Sequence, residues 1–396
     1  MSEDTRDPGG GLGERVQEAR RRAGLTQKEL ARLSGVSLSL IRKVEQGERP
    51  DVRIESVNKL PRALGVTVTG LLGQDPPQPP GREAPDTGLW APARDAILHP
   101  QPGPEREPGT VKGLTQALDG AVRLYHDNGY TKLAAVLPGL VRDAQDAPPL
   151  MRSRVLQLAG SAMVQTRNRD AARAALNRSV ADAEAAGSDL DAASAIITLC
   201  WLLIIERRYG QVMDLSAQWA DRVEPRMSTA GVRDLSVWGW LLLRGSAAAI
   251  RDGQPGEAAD RMRLAAAAAA AAGREQGGYK MYWTTFGPAT VAMKRVENAV
   301  VDGRPDVALR LAREVPPRLR PTSDNRNRHL LDVAAAHLEL RDHDDALSIL
   351  LRLRAEAGPW LAEQRMARDV LTGITGRRRL YTPEMRDLVR FLGEQQ

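Results

Sequence analysis

Apolar residues recur at helical spacing along most of the chain, and the places where that rhythm stops divide it into elements. Leu30, Ala31 and Leu33 give one stretch an apolar side, Ile41 and Val44 mark a second, and Ile54, Val57, Leu60 and Leu64 mark a further helix. From residue 110 onward the pattern is helical throughout, interrupted by short breaks rich in Gly, Asp, Asn or Arg. These are Asn128-Gly129-Tyr130, Asn168-Arg169-Asp170, Arg207-Arg208-Tyr209, Asp252-Gly253-Gln254, Asp302-Gly303-Arg304 and Arg341-Asp342-His343. They lie 39 to 50 residues apart, each between two long apolar helices, so the spacing predicts a helical-hairpin repeat. Small residues after the breaks, such as Ala258, Ala308 and Ala346, let a second helix approach the first closely. The alanine run Ala265 to Ala272 fits as the second helix of one repeat, because Ala is the best helix former. Pro383 to Leu392, with Met385, Leu388, Val389 and Leu392, predicts a closing cap that can also serve a dimer.

The N-terminal helices carry specific start and stop signals. Thr26 followed by Glu29 is a capping box, in which each side chain satisfies a free backbone N–H at a helix start. Gly35 can take the left-handed conformation that turns the chain, and Ser37 can cap the next helix. With Ile41 and Val44 facing inward, Leu38, Ser39, Arg42 and Lys43 point outward, a mixture suited to a DNA groove. Gln27, at the start of the preceding helix, is placed to bond a phosphate with side chain and backbone amide together. Pro61 interrupts the fourth helical pattern, and an interior proline costs about 3 kcal/mol in an ordinary helix, so that helix is expected to bend.

Residues 11–73 resemble the lambda-repressor-like, or XRE-type, helix-turn-helix domain of bacterial transcription regulators. The match is carried by Leu25-Thr26-Gln27-Lys28-Glu29-Leu30-Ala31, Gly35-Val36-Ser37, Ile41 and Glu45-Gln46-Gly47. The resemblance implies a five-helix domain in which Leu38, Ser39 and Lys43 face bases. It places Gln27, Ser37, Arg42, Gln46 and Arg49 among the phosphate-contacting and positioning residues, and makes Arg20 and Glu45 a structural ion pair. The later repeats resemble tetratricopeptide (TPR) repeats, with Gly303-Arg304-Pro305-Asp306-Val307-Ala308 the best single match and spacings longer than the regular repeat. They imply a right-handed TPR-like α-solenoid over 111–396. Thr284-Thr285-Phe286-Gly287-Pro288 resembles an element of actinobacterial regulators that join the two modules.

Charge and composition sharpen the division. Residues 11–73 hold twelve Arg or Lys against seven Asp or Glu, so most of the net +6 sits where a phosphate-facing surface is expected. Aromatic residues make up 4% of the chain and the apolar residues are mostly Ala and Leu, which favours an all-α fold. Residues 1–10 read as a disordered N-terminus without a signal peptide, and residues 74–110 are a Pro- and Gly-rich linker. A short helix at 88–98 is expected to dock Trp90 and Ile97 on a neighbouring domain. Cys200, the single cysteine, reads as a buried small residue. No run approaches a membrane span, and the expected location is cytoplasmic.

No phosphate-binding glycine loop, H-E-x-x-H, G-x-S-x-G or cysteine cluster occurs, and the five histidines are scattered, so neither catalysis, a metal nor a cofactor is expected. A solenoid offers a concave surface for a peptide, small-molecule or protein effector. Trp238, Tyr282, Trp283, Asn325 and Asn327 are candidates for it, Asn for clamping a backbone and aromatics for apolar area. The competing view is that the tryptophans fill space between helices. The reading is a sequence-specific transcription regulator that binds double-stranded operator DNA as a homodimer under control of the solenoid. The alternative is a protein-interaction scaffold in which DNA contact is secondary.

Overall fold

The computed structural model describes residues 12–47, 54–72, 88–100, 110–273, 285–315, 323–376 and 381–393. Every regular element in them is an α-helix. The N-terminal residues 1–10, together with Arg49, Tyr282 and Trp283, lie outside the described residues.

Five short helices form the N-terminal bundle: α1 (Leu12–Arg22), α2 (Gln27–Ser34), α3 (Leu38–Glu45), α4 (Ile54–Leu64) and α5 (Val68–Leu72). Its core is built from Val16, Ala19, Leu30, Val36, Ile41, Val44, Leu60, Leu64 and Leu71. Leu33 does not join it. The residues of α2 that turn inward are Leu30 and Ser34, one turn apart, and the Ser34 hydroxyl is satisfied by the Leu30 carbonyl at 2.6 Å, which leaves Leu33 on the water side at 55% exposure. Helix α4 runs on through Pro61 to Leu64, where Gly65 at φ +67° ends it and the Val66 N–H bonds the Pro61 carbonyl.

α6 (Ala91–Leu98) is buried on one side, and Trp90 and Ile97 both enter the core of the C-terminal module, with Trp90 edge-on to Tyr130. Seven helix pairs follow: α7 (Val111–His126) with α8 (Tyr130–Asp143), α9 (Pro149–Gln165) with α10 (Arg169–Ala185), and α11 (Asp189–Ile205) with α12 (Tyr209–Arg222). Then come α13 (Val232–Arg251) with α14 (Pro255–Ala272), α15 (Pro288–Val301) with α16 (Pro305–Ala312), α17 (Ser323–Glu339) with α18 (His343–Ala362), and α19 (Arg365–Thr375) with α20 (Pro383–Gly393).

The six sequence breaks are the turns inside the first six pairs, and all six close in the same way. One residue goes left-handed, namely Asn128, Arg167, Arg207, Gly253, Gly303 or Arg341. The next N–H then reaches back to the carbonyl five residues earlier, as in Gly129 to Leu124 (2.8 Å) and Gln254 to Ala249 (2.8 Å). This satisfies the carbonyls that the end of a helix leaves free and sends the chain back along itself. Where the turn residue is Asn or Arg rather than Gly, the fold holds it in a conformation that L side chains disfavour.

Helices α9, α11, α13, α15, α17 and α19 each touch the next in that series, while α10, α12, α14 and α16 sit between successive members of it. The first row is therefore the inner one, and the module is solenoid-like. Ala258, Ala308 and Ala346 are buried at the close approaches expected of them. Within the alanine run the buried members are Ala265, Ala268, Ala269 and Ala272, one stripe of a helix. In α20, Met385, Leu388 and Leu392 are buried, whereas Val389 is 38% exposed. Its position, one residue past Leu388, turns it away from that stripe.

The stretch beginning at Thr285 is an internal wedge. Phe286 is wholly buried with its ring against Gly239, and the Trp240 indole N–H donates to the Thr285 carbonyl at 2.8 Å. A Cβ at position 239 would overlap the Phe286 ring, whereas one at Gly256 on α14 meets nothing within 4 Å. Gly239→Ala should therefore lower stability by about 1–3 kcal/mol through overpacking, while Gly256→Ala should raise it by about 0.5–1 kcal/mol through helix propensity. Denaturant melts of the two variants against the wild type check both signs.

Candidate nucleic-acid interface

The outward side of α3 is assembled by the helix before it and the turn between them. Thr26 caps α2 in both directions: its N–H donates to Glu29 Oε2 at 2.8 Å and its hydroxyl accepts from the Glu29 N–H at 3.2 Å. The bond from the Thr26 N–H first, and one from its hydroxyl to Glu29 Oε2 at 2.7 Å second, hold the Glu29 carboxyl below its ordinary value. Gly35, at φ +65°, ends α2, and the Ser37 hydroxyl accepts from the Leu40 N–H at 3.3 Å to start α3.

The angle of α3 is then fixed from behind. Arg20 on α1 grips Glu45 with two parallel bonds, Nε to Oε1 at 2.7 Å and a terminal guanidinium nitrogen to Oε2 at 2.9 Å. A further bond ties the same guanidinium to the Leu25 carbonyl at 2.9 Å. The Glu45 side chain is 1% exposed. Burial pushes its carboxyl up, but the hydrogen bonds from Arg20 and Gln27 and the Arg20 charge together hold it below the ordinary value. Gly13 lies directly against the Val44 carbonyl, so a side chain there would push α1 off the end of α3.

With Ile41 and Val44 inside, Ser39, Arg42 and Lys43 are exposed and Leu38 is half-buried. Arg42 and Lys43 have no acidic partner among the described residues. Gln46 is exposed just past the helix, and Ser37 caps its start. Gln27 gives one of its two side-chain amide hydrogens to Glu45 Oε2 at 2.9 Å, which leaves the other and the backbone amide of the first turn for an anion. Two uncompensated cations, a hydroxyl and a leucine on one open helical face make a surface for a polyanion with readable edges.

Residues 12–71 match a family model for a helix-turn-helix domain. No curated protein and no solved structure matches the chain. The helix-turn-helix domain is the module of DNA-binding regulators, and no helix among the described residues is long and apolar enough to cross a membrane.

The helix-turn-helix domain sits on the ends of the solenoid hairpins, a contact that gave no sign in the sequence. Asp252, in the turn of the α13–α14 pair, accepts from the Thr69 N–H (2.7 Å) and the Thr69 hydroxyl (2.6 Å) on Oδ1, while its backbone carbonyl accepts from the Val68 N–H at 3.2 Å. Val68 is buried in the solenoid core. Arg62 donates to the Asp302 carbonyl, in the next hairpin turn, at 3.0 Å. Inside the domain, Arg15 Nε donates to the Leu71 carbonyl at 2.7 Å and couples α5 back to α1.

On the solenoid, Trp238 is 8% exposed and packs in the core rather than standing on a surface, because α13 is buried nearly all round. The view that tryptophans fill space also holds for Trp219, Trp240 and Trp360. Asn325 and Asn327 lie near the start of α17, each with its side-chain nitrogen shielded and without a hydrogen-bond partner. His337 Nδ1 lies 3.5 and 3.8 Å from carboxylate oxygens of Asp342 and Asp345, while His343 is not part of that group.

Two outcomes follow for the DNA face. Lys43→Ala or Ser39→Ala should relax base preference by about 1–3 kcal/mol at one position of the site. Arg42→Ala should weaken all sequences alike and reduce the salt slope by about one unit. Competition binding over a randomised duplex library at several salt concentrations separates them. Arg20→Ala should destabilise the helix-turn-helix domain by about 2 kcal/mol, between the values for surface and buried pairs. The Glu45 pKa is depressed in the folded state, so its contribution is present above the ordinary carboxylate pKa and is lost as pH falls through the folded one. Hydrogen exchange at the α3 amides, followed from neutral to acid pH, should show protection falling in the wild type and a flatter dependence in Arg20→Ala.

Proposed function

We propose that the protein is a DNA-binding transcription regulator that reads operator DNA with the outward face of α3, as a homodimer on two half-sites, under control of an effector bound to the TPR-like solenoid. The observation that carries this reading is the exposed Ser39, Arg42 and Lys43 on a helix whose angle is locked by Arg20 and Glu45. Half-sites read by paired recognition helices lie about 34 Å apart or a multiple of it, so a small displacement of one domain removes one half-site.

The route for control is the seam at Asp252 and Asp302. The helix-turn-helix domain is anchored to two successive hairpin turns, one holding Thr69 and the other Arg62. A ligand that changes the pitch between those hairpins rotates the domain, because two anchors on two moving bodies cannot both stay satisfied.

Genome-wide footprinting of the full-length protein should give discrete sites with paired half-sites. In gel-shift titrations on such a site Asp252→Ala should retain DNA binding but change the response to the effector. Protection spread evenly over the genome, with no preferred sequence, would remove the reading.

A further inference from the structure

The inner row of helices holds more positive charge than its own acids neutralise. Arg251 on α13 and Lys294 on α15 both bond Glu297, at 2.6 and 2.8 Å, and Arg328 on α17 lies 3.4 Å from Asp332. Arg244 makes no direct ion pair among the described residues, and Glu297 acts on it only from farther off. Its guanidinium lies 5.8 Å from the Trp201 ring and 5.1 Å from the Trp240 ring, and its Nε donates to the Ile197 carbonyl at 3.1 Å. Lys294 Nζ lies 5.7 Å from the same Trp240 ring, so two cations share one indole. Burial lowers the Arg244 pKa to about 10, which still leaves it charged at neutral pH.

Helix α17, whose His329 lies within reach of the Lys294 charge, carries shielded polar groups with nothing to bond. His329, buried and one turn past Asn325 on α17, has an unpartnered Nδ1, and burial first and Lys294 second lower its pKa to about 4. Asn327, 3% exposed, and Asn325 each have an unpartnered side-chain N–H2 group. A shielded cation without a direct ion pair and amide donors without acceptors are both costly in a folded protein. One kind of partner removes both costs.

We infer that the inner face around Arg244, Lys294 and Asn325 is a binding site for a ligand bearing a compact oxyanion, a carboxylate or a phosphate. The oxyanion sits against the Arg244 and Lys294 cations beside Trp201 and Trp240, and an acceptor atom of the ligand takes the amide of Asn325, which shares a helix face with His329. A guanidinium held between two rings presents its remaining N–H groups in a fixed plane, the geometry that carboxylates and phosphates match. The inference deepens the effector reading above and rests on it for its regulatory meaning, though the binding site does not depend on that meaning.

Thermal melts and tryptophan fluorescence of the full-length protein, titrated with inorganic phosphate or acetate against chloride at matched ionic strength, test it. The wild type should show a saturable rise in melting temperature with one of the two anions, and the arm that gives it identifies the ligand group. Arg244→Gln and Lys294→Gln should each weaken the anion by about tenfold or more, judged as the difference between melts with and without it so that a change in basal stability does not matter. Arg263→Gln, on the exposed side of α14, should respond as the wild type does. The proposal is overturned by a wild type that responds to neither anion beyond chloride, or by both variants keeping the wild-type response. Operator affinity unchanged by a saturating anion would leave the site in place and remove the effector reading.

Discussion

Much of the architecture hangs on one carboxylate. Asp252 stands where α13 turns into α14, and its oxygens take an N–H and a hydroxyl from α5 while also holding Gln254 at 2.9 Å. Its side of the seam is 1% exposed, so these bonds are made away from water, where leaving either partner unsatisfied costs about 1–3 kcal/mol. The helix-turn-helix domain is thereby attached to the solenoid through short polar contacts. That attachment turns two modules joined by a proline-rich linker into parts whose positions depend on each other.

The solenoid itself follows from a repeated constraint on helix ends. In the first six pairs the first helix must release its last carbonyls and reverse, and a single left-handed residue does both. Reversal places the second helix on the outside, and the first helices stack as an unbroken inner row. Polar groups that fall on that row are shielded by their neighbours above and below, which is how Glu297, Asp332 and Asn327 come to be buried in a helical protein with few aromatic residues.

How much of this could be read from residues alone depended on whether the signal was local. The capping box at Thr26, the turn at Gly35 and the Arg20 to Glu45 pair were legible because each rests on a short spacing or a family pattern. The six hairpin turns were legible because they interrupt a strong apolar rhythm. Leu33 and Val389 were misplaced because an apolar residue at the edge of a helical stripe satisfies the same spacing as one at its centre. The Thr69 to Asp252 bonds span 183 residues and involve side chains common on any surface, so no pattern along the chain distinguishes them. Arg244 was invisible for a related reason: what makes it unusual is the missing direct ion pair, and an absence has no sequence signature.

The wedge at Phe286 has a consequence for how this chain can diverge. Gly239 is free of a side chain because a ring from 47 positions later occupies the space where one would stand. Enlargement at the first position is open only to a lineage that first shrinks the second, and the intermediate with both small leaves a hole in the core. The two sites are therefore expected to drift together or not at all.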